Sequence, residues 1–263
     1  MNDLNVNELE QSAVRALAVG CGYNIFVCDS VDSTNNELKR WAAKGSEGGC
    51  VLMAREQTAG KGRLGRSFFS PRKGLYYSLL LRPNTPPEET LYFTTAAAVA
   101  VCRAIEAASG RQAQIKWVND VYLGERKVCG ILTESSLSGG LTEWAIIGIG
   151  INITPPQGGF PDELAGRACA IFDNEEDCPA GFANLLAARL SCELEKALSE
   201  PRAENIAEYR RRSFIVGRDI TAVDGGRERR CRVLSIDDKA ELEVRYENGE
   251  LGRLYSGEIS VKL

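Results

Sequence analysis

The chain has 263 residues, of which 44% are hydrophobic and 26% charged, as is typical of a globular protein and not of a fibrous or disordered one. Its 32 basic and 36 acidic residues give a net charge of -4, so it lacks the global positive field that holds a nucleic acid. The sequence contains no histidine, which excludes Ser-His-Asp and Cys-His catalysis and histidine ligation of zinc or haem. Any acid-base chemistry therefore falls to carboxylates, lysine, tyrosine or water.

The nine cysteines show no CxxC spacing, since the nearest two are Cys21 and Cys28. Several lie within apolar patterns, which predicts buried free thiols and a reducing cytosol. Residues 1–10 are acidic and polar and do not resemble a signal peptide. No apolar run approaches the roughly 18 residues of a membrane helix. We therefore expect a cytoplasmic protein that does not engage a membrane.

The first two thirds of the chain alternate helical and strand-like patterns. Helical spacing over residues 8–19 is followed by a strand over 23–31, and Thr34 and Glu37 have the spacing of a capping box that starts a second helix. A buried type of helix is predicted over residues 94–110. Strand-like runs enriched in β-branched and aromatic residues occupy 50–57, 74–83, 114–123, 127–135 and 142–153. These elements predict an α+β fold with a mixed, mainly antiparallel sheet and helices on one face.

The remaining third changes character twice. Residues 182–198 have the apolar spacing of an amphipathic helix, and residues 201–217 are a charged connector with a short helix of its own. After Gly217, five short strand-like runs separated by turn residues predict a small β-barrel. We therefore expect two domains, at residues 1–212 and 213–263.

Residues 60–66, with the sequence GKGRLGR, place three glycines and three cations directly after a predicted strand. Glycines let backbone N–H groups approach a phosphate or carboxylate, and lysine and arginine neutralise its charge, so the segment predicts an anion-binding loop. It is not a P-loop, because Arg55 stands at the position of the first glycine and Gly62 follows the lysine. A solvated basic surface loop is the alternative interpretation.

A second candidate site lies in the segments KWVND and RKVCG. If a two-residue turn joins them as a hairpin, Asp120 faces Cys129 and Lys116 faces Thr133. Lys116, Asp120 and Lys127 then share one face, with Asp120 and Lys127 about 7 Å apart, close enough to share a metal-bound phosphate and a substrate carboxylate. The alternative is a surface ion pair, and a one-residue bulge would change this register.

Two further segments could bind a ligand. The run IIGIGINI places Gly148 and Gly150 within an apolar strand, where a flat ligand could press against the backbone, although a tightly packed central strand is the alternative. It is not a dinucleotide fingerprint, because Ile153 occupies the third glycine position. The polar residues 32–35 at a helix start could bind a polar head group or serve only as a cap.

Five motifs taken in order resemble the catalytic domain of biotin protein ligases: VDSTNNEL, EQTAGKGRLGRSFFSP, GLYYSLLLRP, IKWVNDVYLGERKVCGILTE and IGIGINI. The similarity covers roughly residues 25–200, and the segment from about 217 to the end resembles that family's SH3-like C-terminal domain. The resemblance implies a sheet fold similar to class II aminoacyl-tRNA synthetases. Fewer than 30 residues precede the first predicted core strand, so we expect no DNA-binding domain.

The resemblance implies an enzyme with two half-reactions. Biotin and ATP, the latter with Mg²⁺ as a substrate complex, would form biotinyl-5'-AMP and pyrophosphate. A lysine of a biotin carboxyl carrier domain, as in acetyl-CoA carboxylase, would then attack the mixed anhydride and form an amide. The family uses no tightly bound prosthetic group. We expect no nucleic acid partner and a monomer or homodimer.

The resemblance also assigns roles to residues of this chain. The residues implied in biotin binding are Ser33, Thr34, Asn35, Gln57, Lys61, Gly62, Arg63 and Lys127. The residues implied in ATP binding are Lys61, Arg63, Arg66, Lys116, Asn119 and Asn152. The residues implied in catalysis are Lys127, Arg63, Asp120 and Lys116, and Asp120 would hold Mg²⁺ or orient the incoming amine.

Lys61 departs from the family pattern, since many members carry arginine there, and lysine lacks the planar fork that binds an anion through two nitrogens. Two alternatives remain open. A lipoate or octanoate ligase has a related fold, and acyl-chain specificity would separate it from a biotin ligase. A non-catalytic biotin-binding regulator would keep the ligand-binding motifs without turnover.

Overall fold

The structure is a computed structural model that describes residues 9–224, 227–255 and 258–261. The helices are α1 (Gln11–Leu17), α2 (Thr34–Ala43), α3 (Glu89–Ser109), α4 (Phe182–Ser199) and α5 (Arg202–Arg212). The strands of the first sheet are β1 (Asn24–Val31), β2 (Cys50–Gln57), β3 (Gly74–Leu81), β4 (Gln114–Lys116), β5 (Asp120–Leu123), β6 (Arg126–Ser138) and β7 (Leu141–Asn152). The strands of the second are β8 (Asp219–Asp224), β9 (Arg227–Ile236), β10 (Leu242–Tyr246), β11 (Leu251–Leu254) and β12 (Glu258–Val261).

The first sheet has seven strands in the order β1-β2-β3-β7-β6-β5-β4. Only β1 and β2 pair in parallel, because α2 lies between them in the chain and returns it to the same end of the sheet. The other neighbouring strands pair antiparallel. The predicted α+β class with a mainly antiparallel sheet is thus confirmed.

Helices cover both faces of this sheet. Alternate strand residues such as Met53 and Ile147 join the large core formed with α1, α3, α4 and α5. On the opposite face, Leu38 and Ala42 of α2 pack against Leu52, Leu80 and Ile146 in a smaller apolar cluster. The expectation that all helices lie on one face is therefore wrong for α2. It is this second face, beside α2, that carries the cleft described below.

Helix α3 is the central helix of the larger core. It starts five residues before the predicted helix and ends at Gly110, whose positive φ of 72° provides the expected glycine cap. By length and composition alone α3 could cross a membrane, which the sequence reading did not recognise. However, 72% of its apolar 18-residue stretch is buried inside the protein, as expected for a core helix between a sheet and α4.

Several other predicted elements differ from the structure in their limits. The first helix is shorter than predicted, and part of its predicted start, at residue 8, lies outside the described residues. The predicted strand 114–123 is two strands, β4 and β5, separated by a turn at residues 117–119. The sequence of that turn is WVN, which contains no glycine or proline to indicate a break. The predicted helices in residues 182–198 and 201–217 are present as α4 and α5.

The C-terminal strands form a separate antiparallel sheet in the order β11-β10-β9-β8-β12. All five predicted runs contain a strand, although the end of the last run, at residues 262–263, lies outside the described residues. The turn before β10 contacts the larger sheet, where the Trp117 indole N–H donates to the carbonyl of Ala240 over 2.8 Å. Arg210 of α5 reaches the end of β9 and the same turn, since its Nε donates to the Ile236 carbonyl and its Nη2 to Asp238 Oδ1, each over 2.6 Å.

Candidate active site

The start of α2 forms one wall of a cleft on the second face of the sheet. Ser33, Thr34 and Asn35 are all buried, at 2–3% exposure, although they are polar. The predicted capping box is wrong, because Ser33 and not Thr34 is the N-cap, and Glu37 instead accepts a hydrogen bond from the Trp41 indole. The Ser33 side chain makes no capping hydrogen bond. The Ser33 hydroxyl therefore lies at the cleft without a hydrogen bond to the first turn of α2.

Gln57, at the end of β2, is fixed by hydrogen bonds at both ends of its amide. Its Oε1 accepts from the Thr34 backbone N–H over 2.8 Å, and its Nε2 donates to Ser70 Oγ over 3.0 Å. The Ser70 hydroxyl in turn donates to the carbonyl of Phe68 over 2.8 Å. Because each group has a defined partner, the Gln57 amide has one orientation at the cleft.

The basic glycine loop lies across the mouth of the cleft, as the sequence predicts for an anion-binding loop. Lys61 Nζ donates to Asn36 Oδ1 over 2.7 Å, and Arg63 donates to Asn119 Oδ1 over 2.9 Å. The chain reverses at Gly65, whose positive φ of 75° favours glycine. Lys61, Gly62 and Arg63 thus contribute to the cleft lining, which places two cations beside it.

Three glycines of β6 and β7 form the floor of the cleft. A methyl group at Gly148 would lie 2.2 Å from Asn35 Oδ1, and one at Gly150 would lie 2.4 Å from Cε1 of Phe68. At Gly130 a methyl group would lie 3.1 Å from both Phe68 Cε2 and Lys127 Nζ. Side chains of the cleft therefore rest directly on bare backbone, which explains the glycines in this apolar strand.

Phe68 is a cleft residue that the sequence reading missed. Its ring spans Gly130 and Gly150, and it makes an edge contact with Tyr76 at a centroid distance of 6.5 Å. The ring therefore covers the glycine backbone and gives the cleft an apolar wall. The FFSP sequence after the basic loop contains two adjacent aromatics, but nothing in the sequence shows which of them faces inward; Phe69 is the exposed one.

Lys127 and Asp120 form an ion pair beside the cleft floor, with 2.6 Å between Lys127 Nζ and Asp120 Oδ1. Their predicted proximity is confirmed, but the predicted register is wrong. A bulge after Val121 pairs Asp120 with Gly130 and Val121 with Cys129. Lys127 lines the cleft, whereas Asp120 is not among the lining residues.

Lys116 pairs with Asp120 across the β4–β5 hairpin and does not face Thr133 as predicted. Because the chain turns at residues 117–119, Lys116 lies on a separate strand outside the cleft lining. Arg66 is exposed at the far end of the basic loop. Asn152 donates to the Cys169 carbonyl over 2.9 Å and so holds the segment after β7. These three predicted ATP-binding residues are not brought into the cleft.

The other predicted residues come together in one cleft. Its lining contains these predicted residues: Ser33, Thr34, Asn35, Gln57, Lys61, Gly62, Arg63, Asn119 and Lys127. The same lining holds small polar side chains, glycine backbone, the Phe68 ring and three cations.

The groups around the cleft do not favour a covalent or metal-centred mechanism. Burial raises the pKa of Cys129 well above its ordinary value, so this thiol beside Lys127 stays protonated and is a poor nucleophile. Among the residues that the structure describes, no three acidic or cysteine side chains are grouped as metal ligands. Asp120 offers one carboxylate, which suits a Mg²⁺ that arrives on nucleotide phosphates better than an all-protein site.

Fold and cleft together define an α+β protein with a cationic small-molecule site on an antiparallel sheet. The chain matches the biotin/lipoate A/B protein ligase family over residues 27–152. It is 34% identical over 235 residues to the biotin--[acetyl-CoA-carboxylase] ligase of Paracoccus denitrificans, covering 84% of this chain and 93% of that one. The chain belongs to the biotin/lipoate A/B protein ligase family.

Two other relatives extend the comparison. The bifunctional ligase/repressor BirA of Bacillus spizizenii is 39% identical over 151 residues, which cover 57% of this chain and 46% of that protein. The match thus spans less than half the length of that relative. The biotin protein ligase of Aquifex aeolicus, solved in complex with biotin and ATP, superposes with a TM-score of 0.72 at 29% identity. That superposition covers 91% of this chain and 98% of the other.

Proposed function

We propose that this protein is a biotin protein ligase that uses ATP to activate biotin and transfers it to a lysine of a biotin carboxyl carrier domain. The observation that carries the proposal is the joining of two kinds of site in one cleft. Small polar side chains beside the apolar Phe68 wall suit the fused rings of biotin, and Lys61, Arg63 and Lys127 suit a carboxylate and a phosphate. The relatives named as biotin ligases support the same conclusion.

In the first half-reaction, a biotin carboxylate oxygen attacks the α-phosphorus of ATP and pyrophosphate leaves. ATP brings Mg²⁺, which neutralises phosphate charge. Ser33, Thr34 and Gln57 would orient the ring system through groups already fixed by hydrogen bonds. Lys127 would hold the carboxylate against the phosphorus and stabilise the added negative charge of the transition state.

In the second half-reaction, a neutral lysine amine of the carrier attacks the acyl carbon, and AMP leaves with the bonding electrons. The basic loop would cover the adenylate until the carrier arrives, because a mixed anhydride hydrolyses in water. Asp120, 2.6 Å from Lys127, would accept or orient the proton of the incoming amine or hold Mg²⁺. Arg66, Lys116 and Asn152 would contribute only if the loops around them move on binding.

We further propose that the C-terminal sheet is an SH3-like barrel and that residues 213–263 form a second domain on the catalytic part, 1–212. The contacts from Trp117 and Arg210 to the turn before β10 support a fixed placement of this sheet. All nine cysteines are free, which fits the reducing cytoplasm expected for this enzyme. The absence of a nucleic acid partner fits the net charge of -4, and we propose a monomer or homodimer.

The test is incubation of the purified protein with ATP, Mg²⁺, biotin and a carrier domain, following the adenylate and the carrier mass. We expect a mass gain of one biotin on the carrier, no gain with lipoate, and a loss of about a thousandfold in adenylate formation for Lys127→Ala. Arg126→Ala, on the neighbouring exposed residue outside the cleft lining, is the matched control. Lipoate transfer would support the alternative ligase, and tight biotin binding without adenylate would support the regulator.

A further inference from the structure

Lys39 and Glu134 form an ion pair next to Asn35. Asn35 Nδ2 donates to Glu134 Oε2 over 2.9 Å, and Lys39 Nζ donates to Glu134 Oε1 over 2.6 Å. Asn35 is 3% exposed, whereas the Lys39 and Glu134 side chains are 31% and 25% exposed. Neither Lys39 nor Glu134 lines the cleft, and the resemblance assigned no role to either.

The partners of Asn35 decide which end of its amide faces which way. A carboxylate can only accept, and so can the Leu132 carbonyl, which lies 3.3 Å from Asn35 Nδ2. The amide nitrogen must therefore point toward Glu134. Asn35 Oδ1 then faces Ser78 Oγ, 2.6 Å away, and the bare backbone of Gly148 in the cleft floor.

An ionised Glu134 favours this orientation, because neither of its oxygens can then donate to Asn35 Oδ1. Burial opposes ionisation, but hydrogen bonds from Lys39 and Asn35 and the charges of Lys39 and Lys61 outweigh it and hold the pKa of Glu134 below its usual value. The carboxylate is thus charged at neutral pH. A charged acceptor makes a stronger hydrogen bond to the Asn35 amide than a neutral one would.

We propose that Glu134, held by Lys39, is a positioning residue that fixes the Asn35 amide with its oxygen toward the cleft floor at Gly148. This inference rests on the proposed function. An acceptor at that place favours a head group with N–H donors, as in a cyclic urea, over a dithiolane ring that has none. The pair therefore contributes to ring selection without touching the ligand.

Glu134→Gln tests the inference because it exchanges one acceptor oxygen for an NH₂ group. Lys39 can only donate, so it retains the glutamine carbonyl, and the glutamine NH₂ turns to Asn35. The Asn35 amide must then invert or lose its partner, which Ser78 Oγ allows because a hydroxyl also accepts. We expect the biotin Kd, measured by calorimetry, to rise about 10- to 100-fold. The KM for ATP should change less than about twofold.

A second variant separates orientation from general damage. In Lys39→Met/Glu134→Gln, the hydrogen bond from Lys39 that holds the glutamine carbonyl is gone, and the carbonyl can turn to accept from Asn35 Nδ2. The inference predicts recovery of the biotin Kd to within about fivefold of wild type, although a second native group has been removed. Glu143→Gln is the matched control, because this exposed carboxylate of β7 pairs with Arg82 at 3.6 Å outside the cleft.

Unfolding midpoints of all variants are measured beside the binding constants. An unchanged biotin Kd in Glu134→Gln, with wild-type ligation intact, would overturn the inference and leave the proposed function standing. A double variant that binds biotin no better than Glu134→Gln would also overturn it, since simple structural damage accumulates. Failure of the wild-type protein to bind biotin at all would overturn both.

Discussion

The contact between Phe68 and the glycine floor leads to a quantitative prediction for Gly150→Ala. An added methyl group would lie 2.4, 2.8 and 3.0 Å from three atoms of the Phe68 ring. Favourable carbon contacts need about 3.5–4.0 Å, so the ring has to move by about 1 Å or more. Gly150 has no positive φ, so the backbone itself accepts alanine.

The cost has two parts. Overpacking of this kind typically costs about 1–3 kcal/mol, and the replacement of glycine by alanine in a strand returns less than about 1 kcal/mol. We expect the free energy of unfolding to fall by about 1–2 kcal/mol. Because the ring also lines the cleft, we expect the biotin Kd to rise at least about tenfold.

The measurements are urea unfolding without ligand and calorimetric titration with biotin. Gly22→Ala is the matched control, since its methyl group would lie 2.9 Å from Glu195 Oε1, the movable tip of a side chain remote from the cleft. We expect that control to change stability by less than about 0.5 kcal/mol and biotin binding not at all. Phe68→Leu in the Gly150→Ala background should restore part of the lost stability, because leucine leaves room for the methyl group.

The reasoning would be refuted if Gly150→Ala unfolded and bound biotin as the wild type does. It would also be refuted if stability fell in Gly150→Ala but Phe68→Leu made it fall further by the full amount of its own single-variant effect. That result would mean that the two positions do not interact.

Three more predictions concern other parts of the molecule. Burial opposes the ionisation of Glu208, but hydrogen bonds and charge from Arg103 and Arg212 outweigh it and hold the pKa of Glu208 below its usual value. The ionised carboxylate therefore stabilises the fold above about pH 4.3, and this stabilisation is lost as the pH falls. Glu208→Gln should lower the urea midpoint at pH 7, and its urea midpoint should fall less than that of the wild type between about pH 5 and pH 3. Trp117→Phe removes the donor to the buried Ala240 carbonyl and should cost about 1–3 kcal/mol in urea unfolding, with a wild-type midpoint counting against this bond. Lys61→Arg adds a planar fork to the loop and should slow release of free adenylate about three- to tenfold in a filter assay, whereas faster release would contradict a phosphate contact there.

The sequence predicted most of the fold because its strands carry strong local signals. The run CVLMAREQ matches β2 at both ends, and the break at Gly110 ends α3 as expected. The side of the sheet that α2 covers was not predictable. The apolar stripe of α2 is compatible with either face of the sheet. The face is set by which alternate strand residues point toward α2, namely Leu52, Leu80 and Ile146.

Residue types and the order of the motifs predicted which residues line the cleft, whereas the predicted strand register around Lys116 and Asp120 was wrong. Thr34, Gln57, Arg63 and Lys127 were all predicted and line one cleft. The placement of Lys116 failed because the turn at residues 117–119 has no glycine or proline to announce it. Phe68 and the Lys39–Glu134 pair depend on long-range packing, which short motifs do not encode.

The short turn between β4 and β5 contacts two partners that lie on opposite sides of it. The Trp117 indole N–H binds the Ala240 carbonyl of the C-terminal sheet, and Asn119 Oδ1 accepts from Arg63 of the basic loop. Whatever tightens one of these contacts reduces the freedom of the other, and linkage makes that effect reciprocal. A ligand that orders the loop should therefore slow hydrogen exchange in the turn around Ala240, far from any atom it touches. The contact with the C-terminal sheet would then raise the free energy needed to open the basic loop.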